Sequence, residues 1–167
     1  MTYSLAALNQ MDQATFTATL AAVFEDTPAI AAQTWHHRPF SSLKSLHQAM
    51  SEIVQAQSLA DQLALLRAHP DLGGRVQMAD ASVQEQASVG LNQLTAEEYE
   101  QFLSLNQRYR EKFKFPFIMA VAGQTQASIL KAFAQRLENS ETEEIQQALQ
   151  EVSKIAWFRL NAWIKES

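Results

Sequence analysis

Cysteine is absent from the 167-residue chain, which removes disulfides, thiolate metal sites and thiol nucleophiles from consideration. Glycine and proline are scarce, four of each, so few positions oblige a helix to break. No run of about 20 apolar residues exists to span a membrane. A net charge of −5 offers no basic surface for nucleic acid or anionic lipid. Gly-x-Ser-x-Gly, phosphate loops, dinucleotide fingerprints and His-Glu-x-x-His are all missing. Met1-Thr2-Tyr3-Ser4 lacks the basic region and apolar run of a secretory leader. Lys165-Glu166-Ser167 is not a peroxisomal address. A cytoplasmic protein is expected.

What is present is helical periodicity. The apolar content of 47% suffices for a buried core in one domain of this length. Phe16, Leu20, Val23 and Phe24 mark a first helix. Thr27-Pro28 reads as an N-cap and first helical residue, opening a helix that ends near His36-His37, before Arg38-Pro39-Phe40. Ser41 or Ser42 caps a third, with Leu43, Leu46, Met50 and Ile53 on one face. Leu59, Leu63 and Leu66 mark a fourth, which Pro70 stops. Residues 71–81 read as loop, followed by a short helix from Ser82 to about Gly90. Thr95-Ala96-Glu97-Glu98 is a capping box opening a long helix to Phe113. Phe113-Lys114-Phe115-Pro116-Phe117-Ile118 reads as extended. Helices follow over 125–138 and 141–166. The expected fold is all-α, a single-domain bundle of about eight helices covering 1–167.

Several residues interrupt these faces. His69 ends the fourth helix, ahead of Pro70-Asp71-Leu72-Gly73-Gly74, where an imidazole is either a simple cap or an acid/base group. Arg159 falls on the apolar stripe Ile145, Leu149, Val152, Ala156 and Trp163. A guanidinium there either pairs with an internal carboxylate or grips an anionic ligand. Asn106 lies on the apolar face of Tyr99, Phe102, Leu103, Tyr109 and Phe113, and is expected to satisfy the broken backbone near Phe115-Pro116. Ser82 and Glu85 either form a capping box or face the His69 loop. His36, His37 and His47 have no metal-ligand spacing. Trp157 and Trp163 read as core or interface aromatics.

Phe24-Glu25 with Pro28, Arg38-Pro39-Phe40, Arg67-Ala68-His69-Pro70-Asp71-Leu72, Ser82-x-x-Glu85-Gln86-x-x-x-Gly90-Leu91, Asn106-x-x-Tyr109-x-x-x-Phe113-x-Phe115-Pro116-Phe117-Ile118 and Arg159-Leu160 occur in that order. As an ordered set they resemble the 2-oxo-4-hydroxy-4-carboxy-5-ureidoimidazoline (OHCU) decarboxylases of urate breakdown. The resemblance implies an all-helical enzyme with no cofactor, a ureidoimidazoline substrate and, as often in the family, a homodimer; no metal is expected, from the histidine spacing. It implies that His69 is the proton donor, that Glu85 and Arg159 share the catalytic work, and that Arg159 also grips substrate. It implies substrate contacts from Pro70, from the Ser82, Val83, Gln84, Glu85 and Gln86 segment, and from the backbone of Phe117, Ile118, Met119, Ala120 and Val121. The chain departs from the pattern at Ala29, where an aromatic is common, at Lys114, where a glycine is common, and in a short stretch between Gly74 and Ser82. Two rival readings are a non-enzymatic helical interaction module and a metal-dependent hydrolase.

Overall fold

Side-chain caps set most of the helix starts. The structure, a computed structural model, describes residues 1–74 and 80–166. In chain order its elements are β1 (Tyr3–Ser4), α1 (Leu5–Gln10), α2 (Gln13–Leu20), α3 (Pro28–Thr34), α4 (Leu43–Ala56), α5 (Leu59–Arg67), α6 (Asp80–Ser88), α7 (Ala96–Phe113), α8 (Gln126–Arg136), α9 (Glu141–Trp163) and β2 (Ile164–Lys165), with 3-10 turns at Ala21–Val23 and Trp35–His37. The fold is all-α, with nine α-helices among the described residues. The helix beyond the expected eight is α1, whose six residues are too few to display a period. Part of the expected 71–81 loop, residues 75–79, lies outside the described residues.

The chain divides into two compact units, residues 1–65 with 153–167, and residues 66–152. In the first, Ser4 and Asp12 cap α1 and α2 by accepting the Ala7 and Thr15 amides at 3.0 and 2.7 Å. The Thr15 bonds hold the Asp12 carboxyl below its ordinary range. Pro28 opens α3 as expected, but Thr27 does not cap it; its hydroxyl donates to the Glu25 carbonyl instead, at 2.7 Å. Ser42 and Ser45 form a reciprocal capping box on α4. The buried face of α4 carries Leu43, Leu46, Met50 and Val54, so Val54 takes the position expected of Ile53. The stripe of α5 is also shifted: Gln62, Leu65 and Leu66 are buried while Leu59 is 57% exposed. Gln62 is held in by its Nε2, which donates at 3.0 Å to the Val54 carbonyl at the end of α4, a carbonyl that also accepts the Gln57 amide at 3.2 Å. Two-residue strands pair in parallel, Tyr3 opposite Ile164, too short to leave an alternation in the sequence.

The second unit is built on α7. Thr95 and Glu98 close its N-terminus with the expected capping box. Phe102, Asn106, Tyr109 and Phe113 form its buried face, whereas Leu103 is 45% exposed because it lies one step off that stripe. Tyr109 is the hub, with the Phe113, Phe115, Phe117 and Phe133 rings 4.6 to 6.5 Å from its own. At the other end, Lys114 terminates α7 in the left-handed region, φ +66°. A side chain there costs about 1 kcal/mol. Arg67 Nε donates to the Lys114 carbonyl at 3.1 Å and braces the turn. Residues 116–121 then run outside any helix or strand, in line with the break in helical periodicity there.

Candidate active site

His69 sits just past the C-terminus of α5, 6% exposed, with its amide donating to the Leu66 carbonyl at 3.2 Å. The loop that follows is tied down at three points. Gly73 N–H donates to Gln86 Oε1 at 3.0 Å, while Gln86 Nε2 donates to the Asp71 carbonyl at 3.2 Å. Asn106 Nδ2 donates to the Leu72 carbonyl at 2.8 Å, and Arg110 Nε pairs with Asp71 Oδ1 at 2.9 Å. Gly73 itself has φ +69°, and a Cβ there would meet Leu94 and Phe102 at 3.0 to 3.2 Å. Only glycine fits.

Two sequence expectations are corrected here. Asn106 serves Leu72, not Phe115-Pro116, because Lys114 and Arg67 already manage that helix end. Ser82 is the third residue of α6, which begins at Asp80, so Ser82-x-x-Glu85 is not the start of the helix. Instead Ser82 and Gln86, one turn apart, are buried, and Glu85 beside them is half-buried. Val83 and Gln84 are on the exposed side of the same helix. The Gln86 amide brings α6 against the loop that carries His69.

The other backbone segment of interest is 117–121. All of its residues are buried except Met119, which is half-buried. Arg136 Nη1 donates to the Ile118 carbonyl at 2.6 Å, and Ala120 N–H donates to Glu151 Oε1 at 3.2 Å. The Val121 carbonyl accepts from the Gln124 amide at 2.9 Å. No acceptor among the described residues meets the N–H of Phe117, Ile118, Met119 or Val121.

Behind this segment lies a buried polar network that sequence reading missed. Glu144, fully buried, accepts from Tyr109 Oη at 2.7 Å, from Arg136 Nε and from Asn139 Nδ2 at 3.0 Å. Glu144, Ala148 and Glu151 follow at steps of four and three along α9, which is the one available signal that two of its acids face inward. Burial, and then the Glu144 carboxylate, push the Tyr109 phenol far above its ordinary value of 10.0, against the opposing charge of Arg136. The unfolded chain therefore ionises this phenol while the folded one keeps the proton. Stability from this group is intact below pH about 10 and falls as pH rises further. Urea midpoints of the wild-type protein should drop more steeply than those of Tyr109→Phe between about pH 9 and about pH 11; equal slopes would contradict a buried phenol.

In the first unit, Arg159 is 4% exposed. The internal carboxylate is Glu25, itself 3% exposed, whose Oε1 is 2.8 Å from Arg159 Nη2. Arg159 Nη1 donates to the Ala22 carbonyl at 2.9 Å. Trp157 is half-buried, with its ring edge-on to His47 at 5.2 Å, and His47 Nε2 lies 2.8 Å from the Ser153 carbonyl. Among the described residues, no group of three or more His, Asp or Glu is arranged to hold a metal ion. No described helix is long and apolar enough to cross a membrane.

The family model for OHCU decarboxylase matches residues 9–161. The OHCU decarboxylase of Halalkalicoccus jeotgali is 48% identical over 92% of this chain and 87% of its own length. The uric acid degradation bifunctional protein PucL of Bacillus subtilis is 48% identical over 95% of this chain, which spans 32% of that protein. The crystal structure of (S)-allantoin synthase superposes with a TM-score of 0.77 at 30% identity, over 97% of this chain and 54% of that one. An OHCU decarboxylase crystallised in the presence of (S)-allantoin shares the fold, with a TM-score of 0.70 at 24% identity over 86% and 96% of the two chains. A family match that runs through the His69 loop, α6, the 117–121 segment and Arg159 makes this chain a member of the OHCU decarboxylase family.

Proposed function

We propose that the protein, as one OHCU decarboxylase-like domain, converts 2-oxo-4-hydroxy-4-carboxy-5-ureidoimidazoline to (S)-allantoin and CO2 in urate breakdown. The observation that carries this reading is the family match over residues 9–161, joined to 48% identity with a decarboxylase covered nearly end to end. The substrate holds a carboxylate on a ring carbon beside an unsaturated neighbour. Breaking that C–C bond releases CO2 and leaves its electron pair on the ring, where the neighbour takes it up. A proton then completes the product. No external electron sink is needed.

In this reading His69 delivers the proton to one face of the ring and so sets its chirality. Arg159, held by Glu25, fixes an anionic oxygen of the substrate. Glu85 accepts a hydrogen bond from the hydroxyl or ureido group. The free amides of Phe117, Ile118, Met119 and Val121 suit a ring seat and the stabilisation of developing charge, while Ala120 contributes shape, its amide being engaged by Glu151. Pro70, Ser82, Val83, Gln84 and Gln86 complete the lining, Gln86 acting also through the loop it ties. A homodimer in the cytoplasm is the assembly this reading expects. The internal Arg159–Glu25 pair is what an interaction module would also contain, but family membership favours the enzyme.

The direct test follows urate turned over by the upstream enzymes, with optical rotation as the readout. Adding the protein should hasten the appearance of dextrorotatory (S)-allantoin. Rotation that develops no faster than in its absence would reject the decarboxylase reading.

A further inference from the structure

The polar network behind residues 117–121 is larger than an extended segment needs for its own burial. We infer that Arg136, clamped by Glu144, is a positioning residue that aims the Met119 N–H at the ligand. Glu151 aims the Met119 carbonyl in the same way. The inference rests on the proposed role of 117–121 as the substrate-facing backbone.

The geometry runs through peptide planes. In a trans peptide the C=O of one residue and the N–H of the next are locked antiparallel in one plane; the only cis bond among the described residues is Arg38–Pro39. Arg136 Nη1 on the Ile118 carbonyl, at 2.6 Å, therefore fixes the direction of the Met119 N–H. Glu151 Oε1 on the Ala120 N–H, at 3.2 Å, fixes the direction of the Met119 carbonyl. Met119 is also the one residue of the segment that is not fully buried. A donor and an acceptor are thus offered side by side from one accessible residue. Their complement is a planar ligand edge bearing both an acceptor and an N–H, as in a cyclic urea or amide.

The anchor is stiff. Glu144 is held by Tyr109, Arg136 and Asn139 together. The Arg136 guanidinium lies over the Phe117 ring, 4.3 Å from its centroid. Phe117 is stacked in turn on Phe133 at 3.7 Å. A buried ion pair is a poor source of net stability, but a planar fork held on three sides is a good source of fixed direction. A lysine at 136 keeps the charge and loses the fork.

The experiment pairs steady-state kinetics with hydrogen exchange. In Arg136→Lys, amide exchange of the peptide covering 117–121 should rise about tenfold or more, and KM about tenfold, with kcat altered less than KM and the pH profile of kcat unmoved. Glu144→Gln should show the same pattern more weakly, and serves if Arg136→Lys fails to fold. Thr95→Ala, which weakens the α7 cap without touching the network, should keep wild-type KM. A folded Arg136→Lys or Glu144→Gln protein with wild-type KM and exchange overturns the inference, as does an equal rise in KM in Thr95→Ala. Wild-type protein that fails to decarboxylate would instead reject the proposed function, leaving the exchange result to stand.

Discussion

Replacing His69 with alanine is expected to reduce (S)-allantoin formation by about 10²- to 10⁴-fold, the usual contribution of a positioned proton donor. The helical circular dichroism and the melting temperature should stay near those of the wild type. The physical reason is the division of labour in the loop. Its shape is held by Gln86, Asn106 and Arg110 acting on Asp71, Leu72 and Gly73, not by the residue at 69 alone. Removing the imidazole leaves those ties in place. His69→Asn is the companion variant, since it keeps a polar group of similar reach but cannot shuttle a proton at neutral pH. Turnover within a few fold of wild type in both variants would remove His69 from the chemistry. Collapse of the fold in both would make it a structural residue.

Arg159→Ala is expected to act first on stability, by about 3–5 kcal/mol, the typical result of taking one partner from a buried ion pair. Against a total of about 5–15 kcal/mol for a domain, that brings unfolding close to room temperature. The loss comes from Glu25, which is left buried without its guanidinium. Exchanging both members for apolar residues, as in Arg159→Met with Glu25→Leu, should recover most of it. Arg159→Lys keeps a charge for Glu25 but cannot also reach the Ala22 carbonyl in a fork, so it should recover part. That folded variant is the one in which substrate binding can be read: KM should rise about tenfold or more. Urea denaturation and steady-state kinetics on the same preparations separate the two effects. An Arg159→Ala protein as stable as wild type would show that the pair contributes nothing to the fold.

The parts of the molecule legible in the sequence are those fixed by neighbours along the chain. The Thr95–Glu98 box and the burial of Arg159 follow from spacings of three or four residues, and Pro28 at the head of α3 from its own fixed φ. The parts that were not legible depend on partners far away in sequence. Asn106 on α7 was visible as a misplaced amide, but its partner is Leu72, 34 residues earlier. Gln62 is buried through its bond to the Val54 carbonyl on the preceding helix, a pairing that helical periodicity does not display. The burial of Glu144 and Glu151 is equally hidden, because charge alone does not reveal that Arg136 and the Ala120 amide wait opposite. For the site, the ordered motifs supplied the candidate residues, whereas the network that holds residues 117–121 left no comparable mark.

The pairing of Tyr3 with Ile164 has a consequence for synthesis. Residues 66–152 form one uninterrupted stretch, so that unit has all its parts once the ribosome has released them. The unit that begins at residue 1 is emitted first, yet it lacks β2 and the closing turns of α9 until residues 153–166 emerge. Birth order and completion order are therefore reversed: the earliest helices wait, with Leu43 and Glu25 still missing their distant partners, while later ones are already able to close.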